Sequence, residues 1–169
     1  MDFESLAAEV AETLAGAGET GSGQTLVLAE SCTAGLIAAT LSKTPGASAW
    51  LAGALVVYQE ASKSAWLGVD AETIEEQTAV SAPVAHQMVT GALQQTPHAS
   101  LAAAVTGHLG PNAPEGFDGK LFIAVCRRGG RPRIWEHQLE KTKRVARQRE
   151  AATLVLQAIA TECQASKKA

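Results

Sequence analysis

Two hydrophobic periods alternate along the chain. Leu6, Val10 and Leu14 recur at helical spacing, which predicts a helix that stops at the glycine-rich stretch 16–23. The apolar run "TLVLA" at 25–29 reads as a short buried strand, and a helical pattern from about Thr33 to Ser42 follows, ending before Pro45. "GALVVY" at 53–58 predicts a second strand, and "EASKSAWLG" behind it a short helix closed by Gly68. Ser81 with Pro83 forms a strong helix start, an N-cap with proline in the first turn, for a helix through about Leu93. "SLAAAVTG" at 100–107 is a third buried strand, and "KLFIAVCRRGGRPRIWEHQLE" reads as a hairpin turning at Gly129 and Gly130. The last helix begins near Thr142, where the threonine can cap it, and runs to about Cys163, before a lysine-rich tail expected to fray.

Strands alternating with helices, plus one hairpin, predict an α/β domain: a three-layer α/β/α sandwich on a mixed, mostly parallel sheet. Neither a repeat nor a linker interrupts the pattern, so residues 1–169 read as a single domain with one sizeable core. Apolar residues at 46% and charged residues at 18%, with a net charge of −3, describe a folded chain rather than a disordered one. The 14 Lys and Arg cluster late in the chain and are mixed with acids, which argues against a nucleic-acid partner. No apolar run approaches the roughly 18 residues of a membrane span, and the N-terminal "MDFESLAAEV" is acidic where a signal peptide is basic. The expected location is the cytoplasm, where Cys32, Cys126 and Cys163, odd in number and far apart, are reduced thiols rather than a disulfide framework or a zinc site.

In such sheets ligands bind outside the carboxyl ends of the strands, and three segments leave polar residues there: Glu30–Thr33, Tyr58–Lys63 and Thr106–Pro111. Ser31 stands between a strand and a helix start, where unpaired N–H groups and the helix dipole favour an oxyanion or a phosphate. The plain alternative is that Ser31 or Thr33 only caps the helix, and Cys32 reads as a small packing residue before it reads as a nucleophile. Lys63 follows Tyr58 by five residues, so both can face one crevice, and a neutral lysine can act as base to a serine hydroxyl. That needs a lysine pKa lowered from about 10.4 towards 7 or 8, which burial can supply; a solvated Lys63 is the competing reading. The glycines of "VTGHLGPNAPEGFDG" at 105–119 let a loop approach an anion, although neither a P-loop nor a dinucleotide fingerprint is present, and His108 reads as a partly exposed loop residue.

"AESCTAG" at 29–35, "VVYQEASKSAWLGV" at 56–69, "AVSAPV" at 79–84 and "VTGHLGP" at 105–111 resemble, in order and context, the CinA C-terminal domain family, which includes stand-alone nicotinamide mononucleotide deamidases. The resemblance spans nearly the whole chain and looks like the single-domain form, without the molybdopterin-cofactor-binding-like domain of longer CinA proteins. It implies hydrolysis of the carboxamide of nicotinamide mononucleotide (NMN) to nicotinate mononucleotide and ammonia, in pyridine nucleotide salvage. By the same resemblance Ser31 is the nucleophile, Lys63 its base and Tyr58 the tyrosine beside them. Thr106, Gly107 and Gly110 match the loop that shapes the nucleotide pocket, and amides near the helix start hold the oxyanion; Glu30, Cys32 and Thr33 at the strand mouth are expected to face the substrate, and Arg144 either meets a phosphate or is a solvated helix-end arginine. The resemblance implies neither metal nor organic cofactor, a small pyridine-nucleotide substrate, and a homodimer, for which Trp50 or Trp66 are candidate interface residues unless they are core.

The chain departs from the family pattern at several places. Gln59 and Glu60 replace Ser-Asn after the tyrosine, and Glu60 at three residues before Lys63 is expected to raise the lysine pKa. Leu109 and "NAP" stand in the loop 108–114 where smaller residues are usual, Ala34 replaces a glycine, and Thr142-Lys143-Arg144 replaces Gly-Asp-Arg. Two functions therefore remain open: an active amidohydrolase, or a catalytically altered CinA-like domain that binds a nucleotide or a protein.

Overall fold

The computed structural model describes residues 2–16 and 23–165; most of the glycine-rich stretch, 17–22, and the lysine-rich tail, 166–169, lie outside the described residues. Helix α1 (Phe3–Ala15) starts where the Asp2 carboxylate accepts a bond of 2.8 Å from the Ser5 N–H, and ends at left-handed Gly16. The elements that follow are β1 (Leu26–Glu30), α2 (Leu36–Leu41), a 3-10 turn at Ala47–Ala49, β2 (Leu51–Val56), α3 (Glu60–Leu67), α4 (Ala71–Gln77) and α5 (Ala82–Gln95). The chain closes with β3 (Leu101–Gly107), the hairpin β4 (Lys120–Arg127) and β5 (Arg133–Gln138), and α6 (Arg144–Ala165). Among the described residues no helix is long and apolar enough to cross a membrane.

The strands form one sheet in the order β2-β1-β3-β4-β5, with β2, β1 and β3 mutually parallel and the hairpin added antiparallel. Alternation along the buried strands divides the core into two layers. Leu26 and Leu28 of β1, with Leu101, Ala103 and Val105 of β3, pack against α1, α2 and α6. Val27, Ala29, Ala102 and Ala104 pack against α3, α4 and α5 on the other face. The first crossover, β1 to β2, runs over one face and the second, β2 to β3, over the other, so the chain reverses its direction of travel at β1 and β3. The carboxyl ends of these two strands therefore flank a topological switch point, where open α/β sheets place ligands.

The structure moves some boundaries for identifiable reasons. Helix α2 begins at Leu36 rather than Thr33, because Ala34 and Gly35 have φ of 52° and 91°, which no right-handed helix includes. Strand β2 lies two residues earlier than its apolar run suggested, leaving Tyr58 beyond the strand. Helix α4 had gone unrecognised; it is capped by Asp70 but buries only Ile74, so it has little apolar period to reveal it. Helix α6 starts at Arg144, so Thr142 is not its cap. Trp50 is core and Trp66 is exposed. A glycine inside α5 also has a packing role: a Cβ at Gly91 would lie 2.0 Å from the Leu67 carbonyl oxygen, so only glycine lets α5 press against the end of α3, the helix that carries Lys63.

Candidate active site

The β1–α2 turn presents Ser31, and the first turns of α3 present Lys63. The Lys63 Nζ lies 2.8 Å from Ser31 Oγ and donates a second bond of 2.9 Å to the Val57 carbonyl. Both side chains are buried, Lys63 with 2% of its surface exposed and Ser31 with 7%. Burial pushes the Lys63 ammonium below the ordinary lysine value, against smaller opposing effects of Cys32 and then Glu60. Glu60 thus acts in the expected direction, but desolvation outweighs it. A neutral lysine at this distance can take the serine proton, and the Val57 bond fixes the orientation of its nitrogen.

Ser31, Cys32, Tyr58, Lys63, Thr106, Gly107, Gly110 and Arg144 all line one cavity of about 250 Å³, near the small end of the usual range for ligand sites. Tyr58 stands at its mouth, where its hydroxyl accepts a bond from Arg144 rather than from Lys63. Arg144 also donates to the Gly110 carbonyl. Both of these acceptors are neutral, so the guanidinium charge is uncompensated by them and suits an anion. Buried Thr106 donates to the Ala79 carbonyl at 2.8 Å. Cys32 is packed among core residues and burial pushes its thiol up to about 12, which keeps it protonated and unreactive at neutral pH.

Two expected members of the site stand elsewhere. Neither Glu30 nor Thr33 lines the cavity. The fully buried Glu30 carboxylate accepts from the N–H groups of Gly35, Ile37 and Ala38, at 2.9, 3.3 and 2.9 Å. The amides of Gly35, Ile37 and Ala38 are therefore engaged, which narrows the expected oxyanion donors to those earlier in the turn. Among the described residues, the N–H groups of Cys32 and Thr33 have no acceptor on another residue. Thr33 is buried and its carbonyl accepts from Gln148 of α6 at 3.0 Å.

Further residues of the segments singled out in the sequence also enter the site. Ala79, Val80, His108, Leu109 and Pro111 line the cavity with Glu60. The segment carrying Ala79 follows Thr78, a β-branched residue at φ 65° and ψ 158°, a strained conformation of the kind that gathers at functional sites. His108 meets the Phe117 ring edge to face at 5.9 Å, and burial lowers its pKa against the opposing charge of Asp118. One turn beyond Arg144, Arg147 is buried and grips Asp118 with two bonds of 2.6 and 2.7 Å while its Nε donates to the Lys141 carbonyl. This bidentate pair fastens the loop after β3 to the start of α6 and so holds Gly110 beside Arg144. Among the described residues no group of three or more His, Cys, Asp or Glu side chains is gathered closely enough to hold a metal ion.

Comparison with known proteins places the chain in a known family. A family model for the CinA C-terminal domain matches residues 4–163. A CinA-like protein of Mycolicibacterium vanbaalenii is 44% identical over 124 residues, covering 72% of this chain and 28% of that protein. The CinA-like protein of Mycobacterium tuberculosis is 46% identical over 111 residues, 64% of this chain and 26% of that protein; the chain thus spans less than a third of the relatives it matches. Among solved structures, a competence/damage inducible protein of Agrobacterium tumefaciens superposes with a TM-score of 0.86 at 31% identity, covering 95% of both chains. A CinA superfamily protein of Klebsiella pneumoniae superposes with a TM-score of 0.88 at 27% identity, over 97% of this chain and 99% of that one. With the family model spanning both layers of the sandwich and every cavity-lining segment, the chain belongs to the CinA C-terminal domain family.

Proposed function

We propose that the chain is a serine amidohydrolase that converts the carboxamide of NMN to a carboxylate with release of ammonia. The observation that carries this reading is the buried contact of 2.8 Å between Lys63 Nζ and Ser31 Oγ. Neutral Lys63 removes the hydroxyl proton as Ser31 Oγ bonds to the carboxamide carbon. The resulting ammonium returns that proton to the departing nitrogen, the C–N bond breaks, and ammonia leaves an ester on Ser31. Water, deprotonated by Lys63, then adds to the ester carbon; Ser31 leaves and takes the proton back. The electron-poor pyridinium ring eases both additions, and the N–H groups of Cys32 and Thr33 are the donors left in the turn for the oxyanion. Arg144, paired among the described residues with the neutral Gly110 carbonyl and Tyr58 hydroxyl, meets the phosphate.

The test is ammonia release from NMN by the purified protein beside Ser31→Ala. We expect turnover in the parent and a loss of at least about a thousandfold in the variant, as for removal of a nucleophile acting in concert with its base. Turnover that survives Ser31→Ala refutes the assignment. One observation favours a second reading: Glu60 puts a carboxylate into the cavity wall and opposes deprotonation of Lys63. A catalytically altered domain that binds a nucleotide without cleaving it would be thermally stabilised by NMN yet release no ammonia, and Glu60→Asn would then restore turnover.

A further inference from the structure

Glu30 is a fully buried carboxylate with no ion pair among the described residues. An anion in such a place is sustained only by strong hydrogen bonding. Its three donors are consecutive in purpose: Gly35 and Ile37 at one oxygen, Ala38 at the other. The bonds tie the end of β1 to the first turn of α2 and thereby bracket the turn from Ser31 to Ala34. That turn is not relaxed, since Ala34 has a φ of 52°, a left-handed conformation that an alanine resists. The residue directly after Glu30 is Ser31, whose own N–H is tied to the Val105 carbonyl at 3.1 Å. The serine is thus pinned to the sheet on one side, and on the other is followed by a strained turn that depends on the Glu30 carboxylate.

We infer that Glu30 is a positioning residue for the nucleophile: by holding three amides of the β1–α2 junction it keeps Ser31 Oγ against Lys63 Nζ, without touching substrate. This rests on the Ser31–Lys63 reading above. Its chemical consequence is that the amides of Gly35, Ile37 and Ala38 offer nothing to the substrate, because they already donate to the Glu30 carboxylate. Replacement by glutamine keeps size and one acceptor oxygen but turns an NH2 group towards a backbone N–H, which forces the turn open.

The experiment compares Glu30→Gln with the parent and with Ile159→Val, a core change on α6 remote from the cavity that supplies a matched loss of thermal stability. Two assays are read: ammonia release from NMN, which gives kcat and KM, and the rate at which a fluorophosphonate labels Ser31, which requires no substrate. Glu30→Gln is expected to lower kcat and the labelling rate together by about 10- to 100-fold, the scale of lost charge-assisted bonds, with KM within about twofold. Ile159→Val is expected to lower Tm alone. If Glu30→Gln does not fold, Glu30→Asp keeps the charge at shorter reach and is expected to show a smaller loss of the same kind. A rise in KM with kcat unchanged would make Glu30 a substrate contact and overturn the inference, as would a Tm loss with both rates intact. A parent that labels at Ser31 but does not hydrolyse NMN refutes the substrate assignment while the labelling comparison still decides the role of Glu30. A parent that does neither refutes both.

Discussion

The two walls of the cavity differ in how they meet water. On one, Lys63 and Ser31 are closed off, 2% and 7% exposed, over the junction held by Glu30. On the other, Tyr58 is 51% exposed and partners Arg144, and the Asp118 side chain that grips Arg147 is 64% exposed. Chemistry and recognition ask for opposite environments. A lysine base must be dehydrated to lose its proton near neutral pH, whereas an arginine that receives a charged ligand works at the surface, where screening makes each contact weaker and more replaceable. Changes on the closed wall should therefore act on kcat and steeply, and changes on the open wall on KM and gradually.

The largest expected effect breaks the closed wall. Lys63→Met should lower kcat by roughly 10²- to 10⁴-fold, the range of a lost general base. In the parent, kcat/KM should rise with pH, with its midpoint below the ordinary lysine value of 10.5, since only the neutral amine accepts the serine proton. The stability follows the same sign. Lys63 in the folded state binds its proton less tightly than in the unfolded chain, so the native state gains stability as pH rises from the lowered pKa towards 10.5. Lys63→Met should remove that slope in a thermal-unfolding series; an unchanged slope would show that Lys63 is charged in the folded protein.

The open wall should respond less. Arg144→Gln is expected to raise KM for NMN by about 10- to 100-fold with kcat within a few-fold, as for loss of a charge-assisted anion contact. Asp118→Asn, which loosens Arg147 and the loop it holds, should reproduce part of that rise. A fall in kcat with KM unchanged in Arg144→Gln would erase the distinction between the walls. The smallest effect concerns the turn itself: Ala34→Gly relieves a left-handed alanine and should stabilise the protein by about 1 kcal/mol, or roughly 2–4 °C in Tm. A loss of stability there would mean that the turn is held without strain.

Much of the site could be read directly from the chain because its chemistry is tied to strand ends. Ser31, Lys63 and Thr106 each follow or end an apolar run, and a parallel sheet brings such ends to one side. The Gln59-Glu60 departure was equally visible, but its effect was not, since the burial of Lys63 that outweighs it is a property of α3 seated on α5. Glu30 and Thr33 belong to a polar strand-end segment expected to face the substrate, yet a residue beside a nucleophile can point into the helix start as readily as into the cavity. The contact of Ala79 with Thr106 and the Asp118–Arg147 brace were not legible, because their partners lie 27 and 29 residues away.

By itself the amino-acid sequence determined the kinds and order of the elements, the two-layer apolar pattern and the reactive side chains at the strand ends, all of which depend on local period and residue type. Tertiary structure alone decided which of those side chains lose water and which amides are already taken. Desolvation and hydrogen-bond competition are set by everything that packs around a group, including a glycine at position 91 whose missing Cβ lets one helix settle against another.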